Sequence, residues 1–261
     1  MSKEFYRLVQ SNLNDGRRLH SITFLDGALP NEAKTGHSWL VSDDEILFGS
    51  LGSDLDQKLR EKLSVVSRRT RAKISTLSTA DGECRLLVEL HEPAPRLLLV
   101  GAGHIAQSLA HIASHLGFAI RIFDDRPDFV MPELFPAGTE LVLGKWTEVG
   151  ERMTPGVMDY VVIVTHAHIG DGDALVSLIS HDVAYLGMIG SKKKVKQLMA
   201  RAEESGVSRE RLDKVFSPIG LAIGAETPEE IAISIIAEIV AIARGADPGL
   251  AGSCSITGRK G

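Results

Sequence analysis

The pattern of apolar and polar positions changes character near Glu92. Before it, short apolar runs are broken by Gly, Pro, Asn and Asp. Residues 5–13 are spaced as a helix, and residues 20–25, 36–41 and 45–48 as short strands. Leu55, Leu59 and Leu63 recur in steps of four, which predicts a helical face over residues 53–63. Residues 71–77 and 84–90 read as strands on either side of the turn Ala80-Asp81-Gly82. A small α+β domain over residues 1–92 follows. Glu92-Pro93-Ala94-Pro95 reads as a linker, because two prolines hold the chain extended and remove two backbone donors.

After the linker, strands and helices alternate. Residues 97–100 are apolar without a break, as in a strand buried on both faces. Ile105, Leu109, Ile112, Ala113 and Leu116 mark one helix face, and Gly117 is placed to end that helix. Further strands are expected at residues 119–123, 140–143, 159–165, 183–189 and, briefly, 215–217. Helices are expected at 173–180 and 192–205. Thr227-Pro228-Glu229-Glu230 is a capping box with proline at the first helical position, and it opens a last, apolar helix that ends near Arg244-Gly245. That helix packs either within its domain or across a homodimer; the pattern leaves both open. The alternation predicts an α/β fold, a Rossmann-type doubly wound parallel sheet over residues 96–245, beside the smaller N-terminal α+β domain. The Gly-, Ser- and Ala-rich tail over 246–261 is expected to be mobile.

Composition narrows the classes. A net charge of -5 over 261 residues argues against a general nucleic-acid binder. No stretch reaches the roughly 18 to 20 apolar residues of a membrane span, and the start carries no apolar signal core. The two cysteines, Cys84 and Cys254, are far apart, which excludes a disulfide scaffold and fits a reducing cytoplasm.

The chemistry concentrates in loops that follow the predicted strands. Gly101-Ala102-Gly103-His104-Ile105-Ala106 has the G-x-G-x-x-A form of a dinucleotide loop between a strand and a helix. Gly101 allows the turn, Gly103 lets a pyrophosphate approach the helix N-terminus, and Ala106 permits close packing. Asp124 and Asp125 close the next strand, where an acid binds ribose hydroxyls; Arg126, just after them, is able to accept a phosphate instead. Thr165-His166-Ala167-His168-Ile169-Gly170-Asp171 places His166, His168 and Asp171 at metal-ligand density. Its spacing departs from the hydrolase pattern HxHxDH, with Asp171 one residue late and Gly172 in place of the third histidine. His166 is also a candidate acid/base. Gly190-Ser191-Lys192-Lys193-Lys194 puts lysines in a first helical turn, against the dipole, which makes sense beside a bound phosphate.

Read together with Ser217-Pro218-Ile219-Gly220-Leu221-Ala222-Ile223-Gly224-Ala225-Glu226-Thr227-Pro228-Glu229-Glu230, these loops resemble the XdhC/CoxI family of xanthine dehydrogenase accessory proteins. The last stretch is similar to the family's PIGLDIGAxTPEEIAxSIxAEI signature, with Ala222 in place of the aspartate. The resemblance spans about residues 96–244. Residues 36–52 echo the family's N-terminal strand pair, but Gly52-Ser53-Asp54-Leu55 stands where GGC is common. The resemblance implies an accessory or chaperone role: binding molybdenum cofactor (molybdopterin, a pterin carrying a phosphate) and assisting its maturation and insertion into a molybdenum hydroxylase such as xanthine dehydrogenase. A sulfur donor is a second implied partner, although no cysteine replaces the missing GGC. Gly101, Gly103, His104, Ile105, Asp124, Asp125, Thr165, His166, Gly190, Ser191 and Lys192 are the expected cofactor-contacting residues. Two rival readings are an NAD(P)-dependent oxidoreductase using His166 or His168, and a metal-dependent hydrolase using His166, His168 and Asp171. Neither a substrate domain nor a Tyr-x-x-x-Lys pair supports the first.

Overall fold

A computed structural model describes residues 2–28, 35–42, 45–49, 53–67, 70–166, 170–204 and 206–246. The expected tail from residue 247 onward, and His168, lie outside the described residues. The chain divides into two compact units, Met1–Ala94 and Pro95–Gly261.

The first unit is a five-stranded antiparallel sheet. Its strands are β1 (Leu19–Gly27), β2 (Ser38–Ser42), β3 (Ile46–Phe48), β4 (Ala72–Thr79) and β5 (Gly82–His91), in the order β3-β2-β1-β5-β4. Period-two alternation sends Ile22, Phe24, Cys84, Leu86, Val88 and Leu90 to one face, where α2 (Ser53–Glu61) adds Leu55 and Leu59. Leu19 and Leu40 point to the other face and meet Phe5, Leu8, Val9 and Leu13 of α1 (Lys3–Asn14).

The second unit is a parallel sheet of β6 (Arg96–Val100), β7 (Ala119–Asp124), β8 (Glu140–Leu143), β9 (Tyr160–Ile163) and β10 (Tyr185–Met188). Their order is β10-β9-β6-β7-β8. Both faces are buried, which explains the unbroken apolar runs. Leu97, Leu99, Ile122 and Val162 face α3 (His104–His115) and α8 (Pro228–Ala243). Leu98, Val100, Phe123, Val161 and Ile163 face the opposite layer, which holds α4 (Val149–Met153), α5 (Asp171–Leu178), α6 (Lys192–Glu204) and α7 (Arg209–Leu212). This is the doubly wound Rossmann architecture that the alternation predicts.

Two expectations shift. Residues 215–217 form no strand; Phe216 makes one parallel bridge to Gly187, and three residues are too few to sustain a ladder. The strands expected at 159–165 and 183–189 shorten to the four residues each of β9 and β10: Val164, Thr165 and Ile189 already belong to the loops of the carboxyl edge, and Asp159, Val183 and Ala184 to the segments that enter the strands at the amino edge. The last helix opens as predicted. Thr227 Oγ1 accepts from the Glu230 amide at 3.2 Å, and Glu230 Oε2 accepts from the Thr227 amide at 3.0 Å.

Candidate functional site at the carboxyl edge

In an open parallel sheet, ligands lie beyond the carboxyl ends of the strands, where the strand order reverses. That point falls between β6 and β9. The glycine loop leaves β6 with Gly101 at φ 118, a region L side chains avoid. A Cβ on Gly101 would also lie 2.3 Å from the Val164 carbonyl oxygen. Glycine is therefore required here by the protein's own backbone.

Gly103 is a different case. It caps α3 at φ -71 and ψ -178, a conformation any residue adopts, and a Cβ there would meet nothing within 4 Å. No side chain caps the first turn of α3, and no acid lies within it. His104 is exposed and Ile105 is half-buried against the core. The loop thus offers helix N-terminal amides beside open space.

The sequence groups Asp124 and Asp125 together; the structure separates them. Asp124 is fully buried at 0% exposure. Its Oδ2 accepts from the Ala102 amide at 2.7 Å and from Arg126 Nη2 at 2.9 Å. Its Oδ1 accepts from the Arg126 amide at 3.0 Å and from Arg126 Nε at 2.8 Å. A carboxylate has about four acceptor positions, and all are taken within the chain. Burial alone would raise its pKa, but the Arg126 guanidinium and the two amides outweigh it and hold the carboxyl below its usual range. Arg126 is fixed further by Phe129, whose ring centre lies 3.9 Å from the guanidinium carbon. The Asp125 side chain is 43% exposed, and its Oδ1 lies 3.9 Å from Arg126 Nε, beyond hydrogen-bond reach.

After β9, buried Thr165 donates its hydroxyl to buried Asp171 at 2.6 Å. This bond ties the strand end to the start of α5. Gly170, at that start, lies so close to Trp146 that a Cβ would fall 2.5 Å from the indole ring. His166 is exposed. Among the described residues, no group of three or more His, Cys, Asp or Glu is gathered to hold a metal ion. After β10, Ser191 is exposed and its Oγ accepts from the Lys194 amide at 3.4 Å, at the start of α6; Lys193 and Lys194 are exposed beside it.

No site role is predicted for residues 217–226, yet the structure brings them to the same edge. Ser217 Oγ donates to the Met188 carbonyl at 2.9 Å, and the Ile219 amide donates to it at 3.2 Å. Gly187 makes room: a Cβ there would lie 2.5 Å from both Ile219 Cδ1 and the Tyr185 hydroxyl. From α8, buried Glu238 accepts from the Gly220 amide at 3.2 Å and from the Tyr185 hydroxyl at 2.5 Å. Burial and that carboxylate push the Tyr185 hydroxyl far above its usual range, so it stays a donor. Ser234 donates its hydroxyl to the Leu221 carbonyl at 2.7 Å. Ala222, Ile223 and Gly224 lie at the tip, where Ile223 is 54% exposed despite its apolar side chain. The signal for this loop is present in the sequence as Ser234 and Glu238, two polar residues within an apolar helix.

A cavity of about 670 Å³ lies at the amino end of β10, lined by His181, Asp182, Tyr185, Arg211, Lys214 and Phe216 among others. None of the predicted site residues lines it. Among the described residues, no helix is long and apolar enough to cross a membrane.

Residues 97–239 match a family described as the XdhC Rossmann domain. The chain is 36% identical over 224 residues to Uncharacterized protein YqeB of Escherichia coli K12, covering 81% of this chain and 41% of that protein. It is 32% identical over 160 residues to a probable xanthine dehydrogenase subunit of Bacillus subtilis 168, covering 61% and 46%. Over 150 residues it is 25% identical to Molybdenum cofactor insertion chaperone PaoD of Escherichia coli K12, covering 58% and 41%. The chain thus spans less than half the length of these curated relatives. A solved structure described as a xanthine dehydrogenase from Bacillus halodurans shares the fold, with a TM-score of 0.55 and 19% identity over 95% of this chain and 97% of that one.

Proposed function

The chain belongs to the XdhC Rossmann-domain family, and from that premise we propose that it is an accessory protein for a molybdenum hydroxylase of the xanthine dehydrogenase type. In this reading it binds molybdenum cofactor, as molybdopterin or its dinucleotide form, and assists its maturation and insertion. Relatives named as a xanthine dehydrogenase subunit and as a molybdenum cofactor insertion chaperone support the role.

The observation that carries the ligand site is Gly103. Nothing in the chain requires a glycine there, since its dihedrals are ordinary and a side chain would enter open space. A group that approaches the backbone from outside does require it, as a phosphate does at a helix N-terminus. The uncapped first turn of α3 supplies donors of the right kind, so the residues present fit the phosphate group that such a pterin carries.

The cofactor carries its own redox chemistry, and the chain's residues bind, orient and shield it. Gly101 and Gly103 let the phosphate reach the amides of α3. Ser191, just before α6, offers a second anion contact. Thr165, held by Asp171, fixes the exit of β9, and exposed His166 faces the ligand from there. The loop over residues 217–226 walls the far side. No sulfur-transfer step is assigned, since Gly52-Ser53-Asp54-Leu55 stands in place of the cysteine motif.

The test is reconstitution. A cofactor-free hydroxylase of the xanthine dehydrogenase type, given molybdopterin, should gain activity faster with this chain present than with serum albumin. Equal rates would remove the accessory role.

A further inference from the structure

We infer that the cavity at the amino end of β10 is a second ligand site, at the opposite end of the strand from the carboxyl edge. Its ligand is an uncharged, flat, fused-ring lactam of nucleoside size. An oxopurine nucleoside and a pterin with a polyol chain share that chemistry. The inference does not depend on what the Gly101–Gly103 loop binds.

The cavity holds about 670 Å³, within the range of about 300–1,000 Å³ that small-molecule sites occupy. Ile179 and Leu186, both buried, give it apolar walls. Tyr185 and Phe216 add two rings, stacked on each other with centres 4.8 Å apart and planes 24° from parallel. Phe216 is only half-buried. An aromatic wall of this kind favours a flat ring over a branched chain, because ring faces stack with an offset.

The polar rim sets the charge of the ligand. Lys214 Nζ donates to Glu210 Oε1 at 3.0 Å, and Asp213 Oδ1 accepts from Arg209 Nε at 2.9 Å. No cation among the described lining residues is in surplus, so a phosphate gains no net counter-charge there. Asp182 and Arg211 form the looser pair. Arg211 Nη1 donates to the Ile179 carbonyl at 2.8 Å, which fixes the guanidinium. Its Nη2 stands 4.0 Å from Asp182 Oδ1, the outer limit of an ion pair and too far for a hydrogen bond. An ion of either sign would suit one member of this pair and meet the like charge of the other. A lactam edge carries N–H beside C=O. Its N–H donates to Asp182 and its C=O accepts from Arg211, so it completes the pair without adding charge.

Inosine, its monophosphate and neopterin serve as probes in calorimetric titrations of the full chain. Inosine or neopterin should bind saturably, and which of them binds names the source of the lactam. The monophosphate should bind no more tightly than inosine. Asp182→Asn should weaken the bound probe by about tenfold, the factor carried by one charge-assisted hydrogen bond. It should leave the thermal midpoint unchanged, since the Asp182 side chain is 84% exposed. Phe216→Leu keeps an apolar wall, removes the ring and should weaken the probe by about fivefold. Gly103→Ala, at the other end of the sheet, should leave the affinity as it is. Failure of both inosine and neopterin to bind, tighter binding of the monophosphate, or an unchanged affinity in Asp182→Asn or Phe216→Leu would overturn the inference. So would a loss of affinity in Gly103→Ala, which would move the probe to the carboxyl edge.

Discussion

Gly101 and Gly103 stand two residues apart, and different forces make each a glycine. Gly101→Ala forces a side chain into positive φ and against the Val164 carbonyl. It should cost roughly 2–4 kcal/mol, measured as a shift in the urea unfolding midpoint. Gly103→Ala should leave stability within about 1 kcal/mol, since the conformation is ordinary and the space is open. The sequence motif names both glycines but not this difference, because the carbonyl that crowds Gly101 comes from another strand. The same limit applies to Asp124 and Asp125. Adjacent strand-end positions point to opposite sides, and no local pattern tells which carboxyl Arg126 will take. Asp124 also sets a pH dependence. Its folded-state pKa is depressed, so its contribution is full above the unfolded value of about 3.9 and is lost as pH falls through the lower folded value. Unfolding free energy should therefore decline in this acid range, and Asp124→Asn should flatten that part of the profile. A profile that is unchanged in the variant would contradict this role of Asp124.

At the scale of elements, α8 is the most legible helix, yet two of its residues do work that its pattern does not announce. Its capping box is local, spanning four residues, and local hydrogen bonding is what sequence spacing encodes. The roles of Ser234 and Glu238 are not local: both anchor residues 217–226 from positions 13 and 18 residues away. An apolar helix interrupted twice reads as buried either way. Glu238→Ala would leave the Tyr185 hydroxyl and the Gly220 amide without their acceptor, and should cost about 2–4 kcal/mol by chemical denaturation. Glu238→Gln keeps one carbonyl acceptor and should cost less. Equal, negligible effects of the two would mean that the loop does not depend on this anchor. The bridge at Phe216 reads as a strand in the sequence for the converse reason, since Val215-Phe216-Ser217 is too short a run for a periodicity that would separate one bridge from a ladder.

At the scale of the whole molecule, strand–helix alternation makes the parallel sheet legible, and the order β10-β9-β6-β7-β8 puts its reversal point at the glycine loop. The chain order of the loops is readable; their convergence is not, because it depends on which strands pair. That convergence underlies the claim that the carboxyl edge holds a phosphate-bearing cofactor. The most direct measurement is equilibrium binding of molybdopterin to the full chain, followed by the pterin's fluorescence, with wild type and Gly103→Ala compared at matched stability. Saturable binding to the wild type that weakens at least about tenfold in Gly103→Ala is the predicted result. No binding to the wild type, or equal binding to both proteins, would contradict it.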